Sequence, residues 1–276
     1  FSLGFPESSV GDELDVATSL ATHFGTHHRV ITPGADDMLS RLPQVVWAAD
    51  DLMRDPASLP TLLLAEEASQ SMKVVFSGEG GDESFAGYGR YRTGAVERLF
   101  KSIAFPGTGG FRSRGDLRGS AARQLLGDKL MRVGRAWRGD LIESWQSYPA
   151  AWTPLQKMQA LDLQHALPDN LLVKADRMLM AHGVEGRMPF VDRRLVSWGL
   201  AAADALKCDR REGKKILKNW ASGFMPVEHF AAKKRGFYVP VNDWWRGDRL
   251  EALGRVLTGN EAIREWFKPA GVEALL

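Results

Sequence analysis

Between Lys73 and Arg92 the sequence reads KVVFSGEGGDESFAGYGRYR, an apolar run that ends in Ser-Gly, sets three acids among glycines, and finishes in alternating tyrosines and arginines. Gly78, Gly80 and Gly81 carry no Cβ, so the backbone there is free to turn through positive φ and approach a ligand closely. Free N–H groups in such a turn suit phosphate oxygens. Glu79, Asp82 and Glu83 would repel a polyphosphate unless a cation stands between them, and Mg²⁺ held by one or two carboxylates plus phosphates is the usual arrangement. The chemistry these residues suggest is that of a nucleotide with magnesium. A plainer reading of the same letters is a tight strand-to-helix turn, with Asp82 and Glu83 favourable near a helix N-terminus.

The flanking pattern supplies elements to hold such a loop. FSLGF reads as a buried strand; Leu14, Ala17, Ala21 and Phe24 recur at helical spacing between a cap at Asp12 and a stop at Gly25; HHRVIT reads as a second strand. Pro60 is expected to open the apolar helix TLLLAEEASQ, and Val74, Val75 and Phe76 form a third strand. Strand alternating with helix is the rhythm of a parallel sheet with crossover helices, in which ligands sit outside the carboxyl ends of the strands. Ser77-Gly78 falls at that end of its strand. From about Arg92 to Arg138 the texture changes to Gly, Arg and Ser among short apolar pieces, and beyond it the pattern is helical. LPDNLLVKADRMLMAHG is expected to start near Pro168 and end at Gly183, and Asp192 can cap RRLVSWGLAA.

Composition narrows the classes. The 276 residues are 44% hydrophobic and 25% charged, and no apolar run reaches the roughly 18 residues of a membrane span. The 36 basic and 34 acidic residues leave a formal charge of +2, which gives no global field to recommend a nucleic-acid partner. One cysteine, Cys208, excludes an internal disulfide and fits a reducing compartment, with the cytoplasm as the default and a packed side chain as its own role. His23, His27 and His28 straddle a helix end and a strand start without a matching Cys or acid, so structural or surface roles are expected rather than zinc ligation. Trp198, Trp220, Trp244 and Trp245 read as core or subunit packing, which leaves room for a homodimer.

Two further segments carry ordered motifs. LLVKADRMLMAHGVEGRMPFVD runs from Leu171 to Asp192, and GKKILKNWASGFMPVEHFAAKKRGFYVPVNDWW from Gly213 to Trp245. Together with SGEGGDESFAGYGRY they resemble the synthetase domain of the glutamine-dependent asparagine synthetases. In that family S-G-[DE]-G-[GS]-D-E and G-Y are followed by D-R-x-x-M with E-x-R-x-P-F-x-D, then by K-x-x-L-[RK] and R-x-K-x-G-F. The resemblance covers most of the chain from Phe1 to about Gly247.

The resemblance implies an α/β fold of the adenine-nucleotide alpha-hydrolase (ATP pyrophosphatase) type, its parallel sheet incomplete at the N-terminus, with a largely helical C-terminal half. The division expected is a truncated nucleotide-binding part over 1–95, a variable connection over 96–150 and a helical part over 151–276. It also implies ATP-dependent amidation. The side-chain carboxylate of aspartate attacks the α-phosphate, pyrophosphate leaves, and ammonia displaces AMP. Carried over by residue, the backbone of Leu3 with Ser77, Gly78, Gly80 and Gly81 would hold the nucleotide, and Asp82 would bind Mg²⁺. Glu79 would stand near aspartate and its incoming amine, and Lys234 would face the phosphates. Lys214 and Arg187 are weaker candidates for supporting roles.

Departures from the family pattern are equally specific. Ala232 stands where the third motif usually begins with arginine, and Lys233 and Arg235 flank Lys234. The family's pyrophosphate loop, S-G-G-x-D-S, does not occur, and FSLGF matches the family's second strand. The chain therefore reads as a fragment without that loop and without the glutaminase domain that would supply ammonia. Two other readings stay open: an amide ligase acting on a different carboxylate, and a non-catalytic module that keeps the fold.

Overall fold

The computed structural model describes residues 1–5, 14–51, 53, 55–111, 119–226, 229 and 238–276. They form two compact units, each made of two stretches of chain: Phe1–Thr93 with Met158–Pro240, and Gly94–Lys157 with Val241–Leu276.

The first unit contains all four described strands. β1 (Ser2–Leu3) pairs in parallel with β2 (Val30–Ile31), and β3 (Val74–Phe76) pairs in parallel with β4 (Glu185–Arg187), as two separate two-stranded sheets. The helix Leu14–His23 provides the crossover from β1 to β2, and Gly25, at φ +62°, turns the chain behind it as expected. The cap expected at Asp12 lies outside the described residues. Alternation along β3 sends Val75 inward, where with Met188 it packs on Ala65, Leu179 and Val184, while Val74 and Phe76 face outward. β4 is a strand that the sequence reading did not include.

Two helix boundaries differ from expectation. The helix carrying Ala65 runs Ser58–Ser69, so Pro60 sits inside its first turn rather than opening it, at a place where a backbone N–H has no intrahelical partner. Pro168 does not start its helical run either. The run begins with Pro154–Leu161, passes through eleven π-helical residues, Asp162–Leu172, and returns to α-helix over Val173–Met180. A proline interrupts an α-helical ladder by its missing N–H and by its ring, and π-type turns are one way a chain absorbs such an interruption. Asp192 does cap its helix, accepting a hydrogen bond from the Arg194 N–H at 2.9 Å, and the helix Arg193–Ala201 follows.

The second unit is helical. Ala95–Ala104, Gly119–Leu125 and the 20-residue Asp128–Ser147 come from its first stretch, so helix already runs through much of the 92–138 stretch, ahead of the point at which the sequence pattern turns helical. Asp248–Gly259, Glu261–Trp266 and Pro269–Glu273 come from its second. An antiparallel bridge between Leu126 and Phe267 joins the two stretches, with the Gly127 N–H donating to the Trp266 carbonyl at 2.8 Å. Of the four tryptophans expected in core or subunit packing, Trp244 is buried, Trp245 is partly buried, and Trp198 and Trp220 are exposed. Among the described residues no helix is long and apolar enough to cross a membrane.

Candidate active site

The signature loop departs from the carboxyl end of β3. The Ser77 N–H donates to the Arg187 carbonyl at 2.9 Å, which extends the β3–β4 ladder one residue past the strand, and the chain then turns away. Of the three glycines expected to turn through positive φ, only Gly80 does so, at +85°. A Cβ there would lie 2.7 Å from Val191 Cγ2, so the position is restricted by space as well as by torsion. Gly81 lies against the Phe190 ring, and Gly78 has neither constraint. The short helix Gly81–Ser84 follows and carries Asp82 on its first turn.

Asp82 meets a lysine from far along the chain. Its Oδ2 is 3.1 Å from Lys214 Nζ, and both side chains stay partly exposed. The backbone makes this contact possible in three ways. The Gly87 N–H donates to the Asp82 carbonyl at 2.9 Å. A Cβ on Gly87 would collide with Asp82 Oδ1 and lie 2.5 Å from Lys214 Cε. Lys214 itself adopts φ +55°, a conformation that costs on the order of 1 kcal/mol or more in a non-glycine residue, while its N–H donates to the Phe85 carbonyl at 3.2 Å.

Glu79 meets a second lysine. Lys174 Nζ lies 3.3 Å from Glu79 Oε1 and 3.3 Å from Asp55 Oδ2. The lysine side chain is only 7% exposed, whereas Asp55 and Glu79 are 20% and 25% exposed, so the cation is sheltered and the carboxylates reach toward solvent. The triad ties together the loop before the Ser58–Ser69 helix, the loop after β3 and the Val173–Met180 helix. The DDLMRDP segment that contains Asp55 thus borders the site through that residue. Sequence reasoning missed Lys174 altogether; it is separated from Glu79 by 95 positions and from Asp55 by 119.

The third acid of the loop has a different fate. Glu83 is 1% exposed and accepts a hydrogen bond from the Tyr88 hydroxyl at 2.6 Å. Burial pushes its carboxyl above the usual range, against the lowering effect of that hydrogen bond. Glu83 therefore leaves the set of acids expected to face a phosphate. The tyrosines and arginines that close the stretch anchor it. Arg90 donates to Asp162 Oδ2 at 3.1 and 2.7 Å, Tyr91 donates to the same oxygen, and the Arg90 guanidinium sits 4.0 Å from the centre of the Tyr88 ring. Burial raises the Asp162 carboxyl too, although Arg90 pulls the other way.

Other expected residues are placed less centrally. Leu3 belongs to the β1–β2 sheet, and no ladder joins it to the Ser77 loop. Lys234 and Ala232, with Lys233 and Arg235, lie outside the described residues. Arg187 lends its main chain to the site through the carbonyl that Ser77 meets, while its guanidinium pairs with Glu185 on the surface. His28 Nε2 is 2.9 Å from Ser2 Oγ and His23 Nε2 is 3.1 Å from the Phe224 carbonyl oxygen. Among the described residues no group of three or more His, Cys, Asp or Glu side chains could by itself hold a metal. Cys208 is half-buried, and burial pushes its thiol up, away from a reactive thiolate.

Comparison with known proteins bears on all of this. The family model described as asparagine synthase matches residues 1–276. A Mycobacterium tuberculosis protein named "Putative asparagine synthetase (glutamine-hydrolyzing)" is 32% identical over 302 residues, covering 100% of this chain and 46% of its own length. Asparagine synthetase (glutamine-hydrolysing) 1 of Bacillus subtilis is 29% identical, covering 93% of this chain and 45% of its own. An amidase of Penicillium rubens is 24% identical, covering 94% and 46% respectively. The chain thus spans about half the length of the curated relatives it matches.

Proposed function

Because the chain belongs to the asparagine synthase family, we propose that it forms the ATP-dependent, amide-forming half of a larger enzyme, and that the other half supplies ammonia from glutamine. The observation that carries this reading is the loop at the carboxyl end of β3, where Glu79 and Asp82 project from one turn and each meets a lysine brought in by a different helix or loop. A carboxylate is a poor electrophile; its attack on the α-phosphate of ATP, with loss of pyrophosphate, joins it to AMP, and ammonia then adds at the carbonyl carbon and displaces AMP. Ser77, Gly78, Gly80 and Gly81 would cradle the nucleotide with their backbone, helped by the backbone of Leu3. Glu79, whose charge Lys174 sets against that of Asp55, would stand beside the aspartate and its attacking amine. Lys234 would balance the charge that develops on the phosphates.

Magnesium fits the donor set of this loop. Asp82 offers one hard, partly exposed carboxylate, and Mg²⁺ is commonly held by one or two carboxylates together with substrate phosphates rather than by a protein cage. When bound, the ion would neutralise phosphate charge, and Lys214, 3.1 Å from the same carboxylate, would yield or share it. The two strand pairs are separate ladders; that they are parts of one sheet, completed by a strand and pyrophosphate loop from a further segment, is a reading supported by the family match and by the share of the relatives that is matched. A relative named as an amidase points to chemistry at an amide bond and leaves beside this a second reading, the same amide formation on a different carboxylate.

Pyrophosphate exchange into ATP tests the proposal. A polypeptide spanning the full length of the relatives should catalyse exchange only when aspartate and Mg²⁺ are present, and residues 1–276 alone should not. Exchange with a sugar acid but not with aspartate would move the assignment to the second reading. Robust aspartate-dependent pyrophosphate release from 1–276 alone would overturn the claim that a further segment completes the site.

A further inference from the structure

Behind the short helix that carries Asp82 lies a pair of fully buried polar side chains to which the reaction assigns nothing. Lys207, at the end of the helix Asp204–Lys207, is 0% exposed, and so is Gln159 in the helix Pro154–Leu161. Lys207 Nζ donates to Gln159 Oε1 at 2.9 Å and to the Leu200 carbonyl at 3.3 Å. Gln159 Nε2 in turn donates to the carbonyls of Glu83 at 2.7 Å and Ser84 at 2.9 Å. Those two carbonyls end the four-residue helix Gly81–Ser84.

A buried ammonium is costly, and here its carboxylate contact offers little compensation. Asp204 Oδ1 is 3.6 Å away, beyond hydrogen-bonding range, and its side chain is 38% exposed. A methionine would fill the same space without the desolvation cost. What the ammonium does that a methyl cannot is fix the amide. It only donates, so the Gln159 oxygen must face it, which turns the amide nitrogen toward the two carbonyls. A helix of one turn has almost no internal hydrogen bonds with which to hold its own direction. On its other flank the same turn is confined: a Cβ on Gly199 would lie 2.5 Å from the Ser84 carbonyl oxygen, and Ser84 Oγ donates to the Phe190 carbonyl at 3.2 Å.

We infer that Lys207 and Gln159 form a buried brace that sets the direction of the Gly81–Ser84 helix and thereby the position of the Asp82 carboxylate, so that both are positioning residues for the reaction. The brace itself stands on the packing; its catalytic consequence rests on the proposed function. Two variants separate its parts. Lys207→Met removes the donor that orients the amide. Gln159→Glu keeps a partner for the ammonium but removes both donations to the helix carbonyls.

Amide hydrogen exchange, followed by NMR, reads the brace without any activity. The Ser84, Phe85 and Gly87 amides donate to the carbonyls of Gly80, Gly81 and Asp82. They should exchange about tenfold faster in either variant, the scale of one lost hydrogen bond, while the Glu185 amide, which donates to the Lys73 carbonyl, keeps its wild-type rate. In the full-length protein the Mg²⁺ midpoint of pyrophosphate exchange should rise by a similar factor with the KM for the acceptor unchanged. Unaltered exchange at the three amides, or an equal increase at Glu185, would overturn the brace. Faster amides with an unmoved Mg²⁺ midpoint would overturn its link to Asp82. If the wild-type protein catalyses no pyrophosphate exchange, the functional proposal fails while the amides still decide the brace; and if Lys207→Met does not fold, Gln159→Glu makes the same test.

Discussion

Asp82 and Glu83 are neighbours in the chain, identical in formal charge, and opposite in circumstance. Asp82 keeps part of its surface in water and shares its charge with Lys214, which approaches on a strained backbone through the space that Gly87 leaves open. Glu83 points the other way, 1% exposed, with Tyr88 on one oxygen and a carboxyl that burial pushes up. The front of this one-turn helix therefore gathers exchangeable ionic contacts of a kind a ligand can replace. Its back is closed by hydrogen bonds from Tyr88 and Gln159 that a ligand has no means of reaching. The lesson is that a run of acids in a motif is not a list of ligands: a helical turn separates adjacent residues by about 100°. One acid can then serve chemistry while the next serves the fold.

Breaking the front should give the largest effect on activity. In Asp82→Asn, pyrophosphate exchange by the full-length enzyme should fall by roughly tens to hundreds-fold, with thermal stability close to wild type, because a hard anionic ligand is lost and its shape is kept. Lys174→Met should come next. It leaves Asp55 and Glu79 without the cation between them, and about 1–3 kcal/mol of stability should be lost in a urea titration, less than for a wholly buried pair because both carboxylates are partly exposed.

The back should answer to pH. The folded-state values of Glu83 and Asp162 are both raised, so the folded protein holds these protons to higher pH than the unfolded chain does. The stability they contribute is full below the unfolded values and is lost as pH rises through the raised folded ones. Glu83→Gln keeps an acceptor for Tyr88 and removes the charge. Its thermal midpoint should decline less than that of the wild type as pH rises above the ordinary glutamate value of 4.5. An identical slope would mean that Glu83 is not the group being titrated. The smallest effect belongs to Asp192→Ala, which removes an exposed cap from the helix Arg193–Ala201 and should lower the thermal midpoint slightly without altering the slope above pH 4.5, because the hydrogen bonds from Arg194 hold its carboxyl below the ordinary value of 3.8.

How much of this the sequence disclosed follows from where its signals lie. Val74–Phe76 and its loop were legible because an apolar run stops abruptly at Ser-Gly, and Asp192 because a capping residue sits directly before a helical pattern. β4 was not, since Glu185-Gly186-Arg187 has no apolar alternation; only Gly186 faces inward, against Leu179 and Met188, and the charged pair stays on the surface. Lys174 and Lys207 could not be told from surface lysines, because their partners are set by packing between elements distant in sequence. The positive φ of Gly80 was legible as a possibility shared with Gly78 and Gly81, and only the approach of Val191 singles it out.

The central claim is that Asp82 faces the chemistry and Glu83 does not. A Mg²⁺ titration of aspartate-dependent pyrophosphate exchange, run side by side on full-length wild type, Asp82→Asn and Glu83→Gln, tests it most directly. The Mg²⁺ midpoint should move to higher concentration in Asp82→Asn and stay at the wild-type value in Glu83→Gln. A midpoint that moves in Glu83→Gln and stays in place in Asp82→Asn would contradict it.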